Sequence, residues 1–147
     1  MQRILVATVV VEDNKLLVVK EASRQHHGKY NFPAGHLDQG ESIFKATIRE
    51  AKEETGFDIR IKGLLVIHNF LYGKNNDQAL AFIFQGERVG GEIQFDKKEI
   101  LSAEWVSVTE LEKMTEKELR NPFLMHKTLE ALKSNKLYPL EVIEEFI

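Results

Sequence analysis

The stretch from Gly35 to Phe57, GHLDQGESIFKATIREAKEETGF, constrains this chain more than any other part of it. Ser42 is a good helix N-cap, and Gly56 stands where a left-handed residue ends a helix. Between them Phe44, Ile48, Ala51 and Thr55 recur at spacings of four, three and four, which puts them on one helical face. That face is expected to pack on a sheet.

The same helix carries Arg49, Glu50, Glu53 and Glu54. At about 100° per residue, the three glutamates share an arc of roughly 100°, away from the Ala51 stripe. Hard cations such as Mg²⁺ or Mn²⁺ take oxygen ligands, usually a few carboxylates completed by water and substrate phosphate. The spacing E-x-x-E-E can present such ligands from one rigid turn. A plain solvated face is the competing reading, with Arg49 paired to Glu53 and Glu41 to Lys45. Like charges at i,i+4 cost an isolated helix only about 0.2–0.5 kcal/mol, so repulsion alone demands no metal.

Around this helix the chain alternates strand-like and turn-like segments. Ile4–Val11 is β-branched and nearly continuous in apolar character, as a strand buried on both faces would be. Asp13-Asn14 signals a turn, and 15–20 reads as the returning strand. A polar loop over 21–29 leads to a short extended piece at 30–32, where Pro33 holds Phe32 out of the helical region. One or two strands are expected over 59–72, a turn at 73–77, a strand at 79–84, a flexible point at Gly90-Gly91 and a last short strand at 103–106. Thr109 with Glu112 and Thr115 with Glu118 both match a capping box. Asn121-Pro122 opens a final helix reaching about Asn135. With no repeats and no linker, the expectation is one α+β domain over residues 1–147.

Composition removes several function classes. The formal net charge is −3 with no long basic run, so stable binding to nucleic acid is not expected. There are no cysteines, which excludes disulfides, thiolate metal sites and thiol nucleophiles. No apolar stretch approaches the ~18 residues of a membrane span, and no cleavage signal follows the start. A cytoplasmic protein, monomeric or homodimeric, is the expectation.

The spacing around the glutamates is more specific than their clustering. Gly35, five residues, Glu41, seven residues, then REAKEETGF from Arg49 to Phe57 fits G-x5-E-x7-R-E-U-x-E-E-x-G-U, with U bulky and apolar. This resembles the signature box of the Nudix hydrolase family. Ala51 is smaller than usual at the first U position, and Phe57 is aromatic where aliphatic residues are commoner. The resemblance implies a mixed central sheet sandwiched between helices. It also implies a divalent cation, Mg²⁺ or Mn²⁺, and attack of water on a small diphosphate or nucleotide substrate. Position by position, Glu50, Glu53 and Glu54 would hold the metal, together with the Gly35 carbonyl. Arg49 would orient a glutamate, and Glu41 would support the loop and helix. The resemblance also implies a loop acid ahead of the Trp strand; Glu99, six residues before Trp105, is the leading candidate for that base or extra metal ligand, with Asp96 and Glu104 as rivals.

Outside the box, PAGHL at 33–37, Trp105-Val106-Ser107, the stretch 119–124 and Tyr138-Pro139-Leu140-Glu141 look like the NudJ-type phosphatase subgroup. Its members release phosphate from nucleoside di- and triphosphates and act on hydroxymethylpyrimidine and thiamine pyrophosphates. Alternatives within the family are NMP-plus-pyrophosphate release, as in MutT-type enzymes, diadenosine polyphosphate hydrolysis, and a ligand-binding module without catalysis. Tyr72, sixteen residues after Gly56, sits where the diadenosine enzymes often carry tyrosine, although a strand-end aromatic is the simpler reading. The proline that marks ADP-ribose pyrophosphatases is absent from 69–71. For substrate contact the candidates are His36, Tyr30 and Phe32, with Phe70 and Phe82 as further aromatics and His26 and His27 at the mouth. His68 and His126 carry no signal.

Overall fold

A hairpin opens the chain in the computed structural model, which describes residues 2–147. β1 (Gln2–Glu12) and β2 (Lys15–Glu21) join across Asp13 and Asn14, whose φ values of 51° and 63° make the tight primed turn suited to a twisted hairpin. β2 pairs antiparallel with the two-residue β3 (Tyr30–Asn31) and with β7 (Ile100–Ser107). β1 pairs antiparallel with β4 (Ala34–His36) and parallel with β6 (Asp77–Gly91). β6 returns antiparallel against β5 (Phe57–Tyr72), so the sheet is mixed.

Strand alternation sends side chains to two cores on opposite faces. Leu16 and Val18 of β2 join Val9, Ile83, Leu111, Leu119, Met125 and Leu129, whereas Leu17 joins Val10, Ala51, Phe57 and Ile59. The first core lies under α2 (Val108–Lys113) and α3 (Pro122–Lys133), and the second under α1 (Ile43–Thr55). The sheet therefore lies between helices, as expected for an α+β chain of this pattern. Val9, Val10, Leu16 and Leu17 are fully buried, each stabilising the fold by about 1.5–3 kcal/mol. Among the described residues no helix is long and apolar enough to cross a membrane.

Several elements differ from the sequence expectation. The stripe on α1 is Thr47, Ala51 and Thr55 with Ala46, while Ile48 is 39% exposed. The buried threonines are tolerated because each hydroxyl donates to a carbonyl one turn back, Thr47 to Ile43 and Thr55 to Ala51. Residues 57–72 form one continuous strand, within the expectation of one or two, but with register shifts near Ile59, Gly63 and Val66. β6 extends well beyond 79–84, and Gly90-Gly91 lies inside its end. The α2 cap is Ser107, which accepts from Glu110 N, and not Thr109. Thr115 and Glu118 do hydrogen-bond, but they close a turn and start no helix.

Candidate active site

Both ends of α1 are held firmly. At the C-terminal end, Gly56 adopts φ 83° and donates to Lys52 O at 2.8 Å. A Cβ there would lie 2.0 Å from Glu92 O, so both the conformation and the space require glycine. At the N-terminal end, Ser42 Oγ accepts from Lys45 N. It also donates to Glu145 Oε1 at 2.5 Å, and Glu145 Oε2 accepts from Ile43 N at 2.7 Å. The first turn of α1 contains no acid of its own. A carboxylate from the C-terminal tail therefore supplies the negative charge that the helix N-terminus favours.

Arg49 organises the loop ahead of the helix. Its Nε and Nη2 donate to the two oxygens of Glu41 at 2.7 and 3.0 Å, a bidentate pair. Its Nη1 donates to Glu50 Oε1 at 2.8 Å and more weakly to Glu53, and Nη2 reaches the His36 carbonyl. Glu41 Oε1 also accepts from Asp38 N, which closes the loop. The Arg49 hydrogen bonds hold the Glu41 carboxyl below the usual carboxylate range. Glu41 thus pairs with Arg49 rather than with Lys45.

The three box glutamates do not share an exposed arc. Glu53 is 54% exposed and Glu50 only 14%. Glu53 borders an open depression of about 400 Å³ with Lys52, Gln94, Phe95 and Asp96. Glu54 turns inward and accepts from Ala34 N at 2.9 Å. Burial pushes the Glu54 carboxyl up to about 8, opposed by the Ala34 bond and reinforced by the charges of Glu50, Glu21 and Glu99. Burial likewise raises Glu50 despite the Arg49 contact. The Glu50 carboxylate rests on Gly35, where a Cβ would lie 2.1 Å from its carboxyl carbon. Glu50 and Glu54 therefore reach adjacent residues of β4, and the solvated-face reading fails for both.

A third carboxylate belongs to this neighbourhood. Glu21, at the end of β2, has a buried Oε2 with no hydrogen-bond partner, and burial raises its carboxyl even beside Arg120. Buried carboxylates this close are costly unless a cation balances them. The oxygen-only donor set, the orphaned Oε2 and the tight seat at Gly35 fit a hard divalent cation. Among the described residues no three acidic or histidine side chains are already converged as ligands. Glu50 and Glu54 instead point to Arg49 and Ala34, so side chains would have to turn to meet an ion.

The remaining candidates divide clearly. Glu99 lies on the exposed loop, tied to β2 by Ala22 N donating to its carbonyl at 2.9 Å, and its charge acts on Glu54. Glu104 is committed, accepting from Tyr30 Oη at 3.0 Å and Ser102 Oγ at 2.6 Å, with Lys20 at 3.8 Å. Asp96 caps its own turn by accepting from Lys98 N. His36 is exposed at the end of β4. Tyr30 is half-buried, with Lys20 5.0 Å from its ring. Phe32 is 1% exposed and fills the core, so it cannot stack on a substrate. Phe70 packs against the core and the Tyr72 ring, and Tyr72 ends β5, which supports its strand-end reading. His68 bonds Thr128 at 3.0 Å, on the α3 side.

The sequence reading missed Glu21, Arg120 and Glu145. Glu21 is the last residue of an apolar strand, a position read as the start of a polar loop. Arg120 and Glu145 come from distant segments, and no local spacing points to them.

The NUDIX domain family model matches residues 1–126. Phosphatase NudJ of Shigella boydii is 33% identical, covering 97% of this chain and 91% of that protein. An ADP-ribose pyrophosphatase of Methanocaldococcus jannaschii is 30% identical over 72% of this chain. The chain spans only 62% of that archaeal protein, and 26% of the Caenorhabditis elegans Putative nudix hydrolase 1, to which it is 31% identical. A solved NUDIX hydrolase from Nitrosomonas europaea superposes with a TM-score of 0.90 at 33% identity, covering 99% of this chain and 98% of that one. The chain belongs to the Nudix hydrolase family, enzymes that hydrolyse phosphoric anhydrides, and it resembles the NudJ phosphatases along nearly its whole length.

Proposed function

We propose that this chain is a Mg²⁺- or Mn²⁺-dependent hydrolase that cleaves the diphosphate linkage of small nucleotides or related pyrophosphates. The observation that carries this reading is the inward set of carboxylates: Glu50 seated on Gly35, Glu54 on Ala34 N, and Glu21 with its Oε2 buried and unpartnered. Glu50, Glu53 and Glu54 would hold the cation, with the Gly35 carbonyl beside them. When bound, the ion neutralises phosphate charge, polarises the P–O bonds and makes water a better nucleophile. Arg49 keeps Glu50 in place and fixes the loop through Glu41. Glu99, whose charge reaches Glu54, is the reading's general base.

Phosphate release from nucleoside diphosphates, triphosphates and pyrimidine pyrophosphates is the preferred reading, supported by the near full-length similarity to NudJ. Purified protein with Mg²⁺, assayed on a panel that separates phosphate from pyrophosphate release, tests it. ADP-ribose and diadenosine polyphosphates belong in the panel. Phosphate from nucleoside and pyrimidine diphosphates is expected. NMP plus pyrophosphate from triphosphates would replace this with the MutT-type reading, and no turnover of any diphosphate would leave a binding module. Glu53→Gln and Glu54→Gln are each expected to lose at least ~10²-fold in rate.

A further inference from the structure

One cation at the rim of the carboxylate cluster has most of its hydrogen-bonding capacity unused. Arg120 follows Leu119, which is fully buried, in the link between α2 and α3. Its N–H donates to Tyr30 O at 3.1 Å while Tyr30 N–H donates to Glu118 O at 2.8 Å, so a short parallel bridge fixes its backbone to β3. From there Nη1 donates to Glu21 Oε1 at 2.5 Å, the one side-chain hydrogen bond of Arg120 among the described residues.

The pairing is lopsided. Two groups matched only to neutralise each other would engage both carboxylate oxygens with a bidentate guanidinium. Here Glu21 Oε2 is buried without a partner, and the Arg120 side chain stays 42% exposed with Nε and Nη2 to spare. Two other nearby cations are committed: Arg49 to Glu41, Glu50 and Glu53, and Lys20 to Glu104 and the Tyr30 ring. Position is equally informative. The charge of Glu21 acts on Glu54, and that of Arg120 acts on His36, next to Gly35, and on His26. By geometry, Arg120 pairs with the residue that closes the base of the 22–28 loop, since Glu21 O accepts from Gly28 N and Glu21 N donates to Lys29 O. A planar, permanently charged guanidinium suits the phosphoryl oxygens of a diphosphate arriving at this acidic rim.

We propose that Arg120 is a substrate-binding residue that takes a phosphoryl oxygen of the diphosphate through its unused N–H groups, with Glu21 as the positioning residue that holds the guanidinium at the rim. The proposal rests on the diphosphate-hydrolase reading above. Calorimetry of the full chain with saturating Mg²⁺ and methylenediphosphonate, a diphosphate that cannot be hydrolysed, tests it. Arg120→Ala is expected to weaken binding at least tenfold, on the scale of a lost charge-assisted hydrogen bond, and Arg120→Lys to recover part of the loss. In steady-state assays the damage should fall on KM more than on kcat. Because Arg120→Ala leaves Glu21 buried and unpaired, the double variant Glu21→Gln/Arg120→Gln is measured beside it and is decisive if the single variant does not fold. A folded variant that binds the probe as tightly as wild type overturns the proposal while leaving the diphosphate reading in place. A wild-type protein that neither binds the probe nor turns over any diphosphate overturns both.

Discussion

The two faces of α1 carry the same chemistry in opposite settings. Outward lie Lys45, Lys52 and Glu53, whose charges meet water and cost little. Inward, Thr47, Ala51 and Thr55 are buried, and Glu50 and Glu54 flank them. Glu53 and Glu54 are consecutive, yet the first is 54% exposed and the second is pushed up to about 8 by burial. A carboxylate on a helix is ornament or machinery according to which way about 100° of rotation turns it. Carboxylates turned inward are uncommon, so the presence of two against β4, with only Arg49 and the Ala34 N–H as partners, is the feature that needs an explanation. The proposed cation would supply it.

That contrast can be broken most severely at Glu54. Glu54→Gln should lose at least ~10²-fold in diphosphate hydrolysis while raising the melting temperature of the metal-free protein at pH 8, because the amide keeps the Ala34 bond without the buried charge. A variant losing both activity and stability would make Glu54 a structural residue instead. Next comes Gly35→Ala. The three atoms nearest its Cβ belong to the flexible end of Glu50, so the fold should survive while the displaced carboxylate lowers the rate by about tenfold or more. Retained activity in that variant would remove Glu50 from the site.

A smaller effect concerns pH. The Glu54 carboxyl rises from its ordinary 4.5 to about 8 on folding, so across that window the folded chain holds more protons than the unfolded one. Stability of the metal-free protein from this group is complete below pH 4.5 and is lost as pH rises towards 8, at about 1.4 kcal/mol per pH unit at most. Glu50 and Glu21 shift in the same direction. Melting curves from pH 5 to 8 should therefore show Mg²⁺ stabilising the protein more at pH 8 than at pH 5. An equal gain at both ends would contradict the assignment. The smallest change is at the helix start, where Glu145→Ala should cost about 1 kcal/mol in chemical denaturation by stripping the cap from Ser42 and Ile43.

What the sequence revealed follows the range of the forces involved. The caps at Ser42 and Gly56 and the turns at 13–14 and 121–122 are local, and they were readable from residue types alone. The spaced frame from Gly35 to Gly56 identified the family, since each of its members is in the same short segment. The inward turn of Glu50 and Glu54 was not readable, because Thr47 and Ala51 mark the buried face less clearly than Ile48, which proved exposed. Phe32, one of the candidates for substrate contact, lies in the core, and an aromatic beside a loop looks the same in sequence whether its strand end faces core or solvent. Glu21, Arg120 and Glu145 were invisible for a different reason. Each acts through a partner 99 or more positions away, brought near only by the sheet and the C-terminal tail.

The most direct test of the account is the proton balance of cation binding. Mg²⁺ titrated into wild-type protein at pH 7 in buffers of different ionisation enthalpy should release about one proton per bound ion, as Glu54 gives up its proton to the site. Glu54→Gln should bind more weakly and release clearly fewer protons. Binding without proton release in the wild type, or the same release in both proteins, would contradict the claim that a buried, protonated Glu54 waits for a cation.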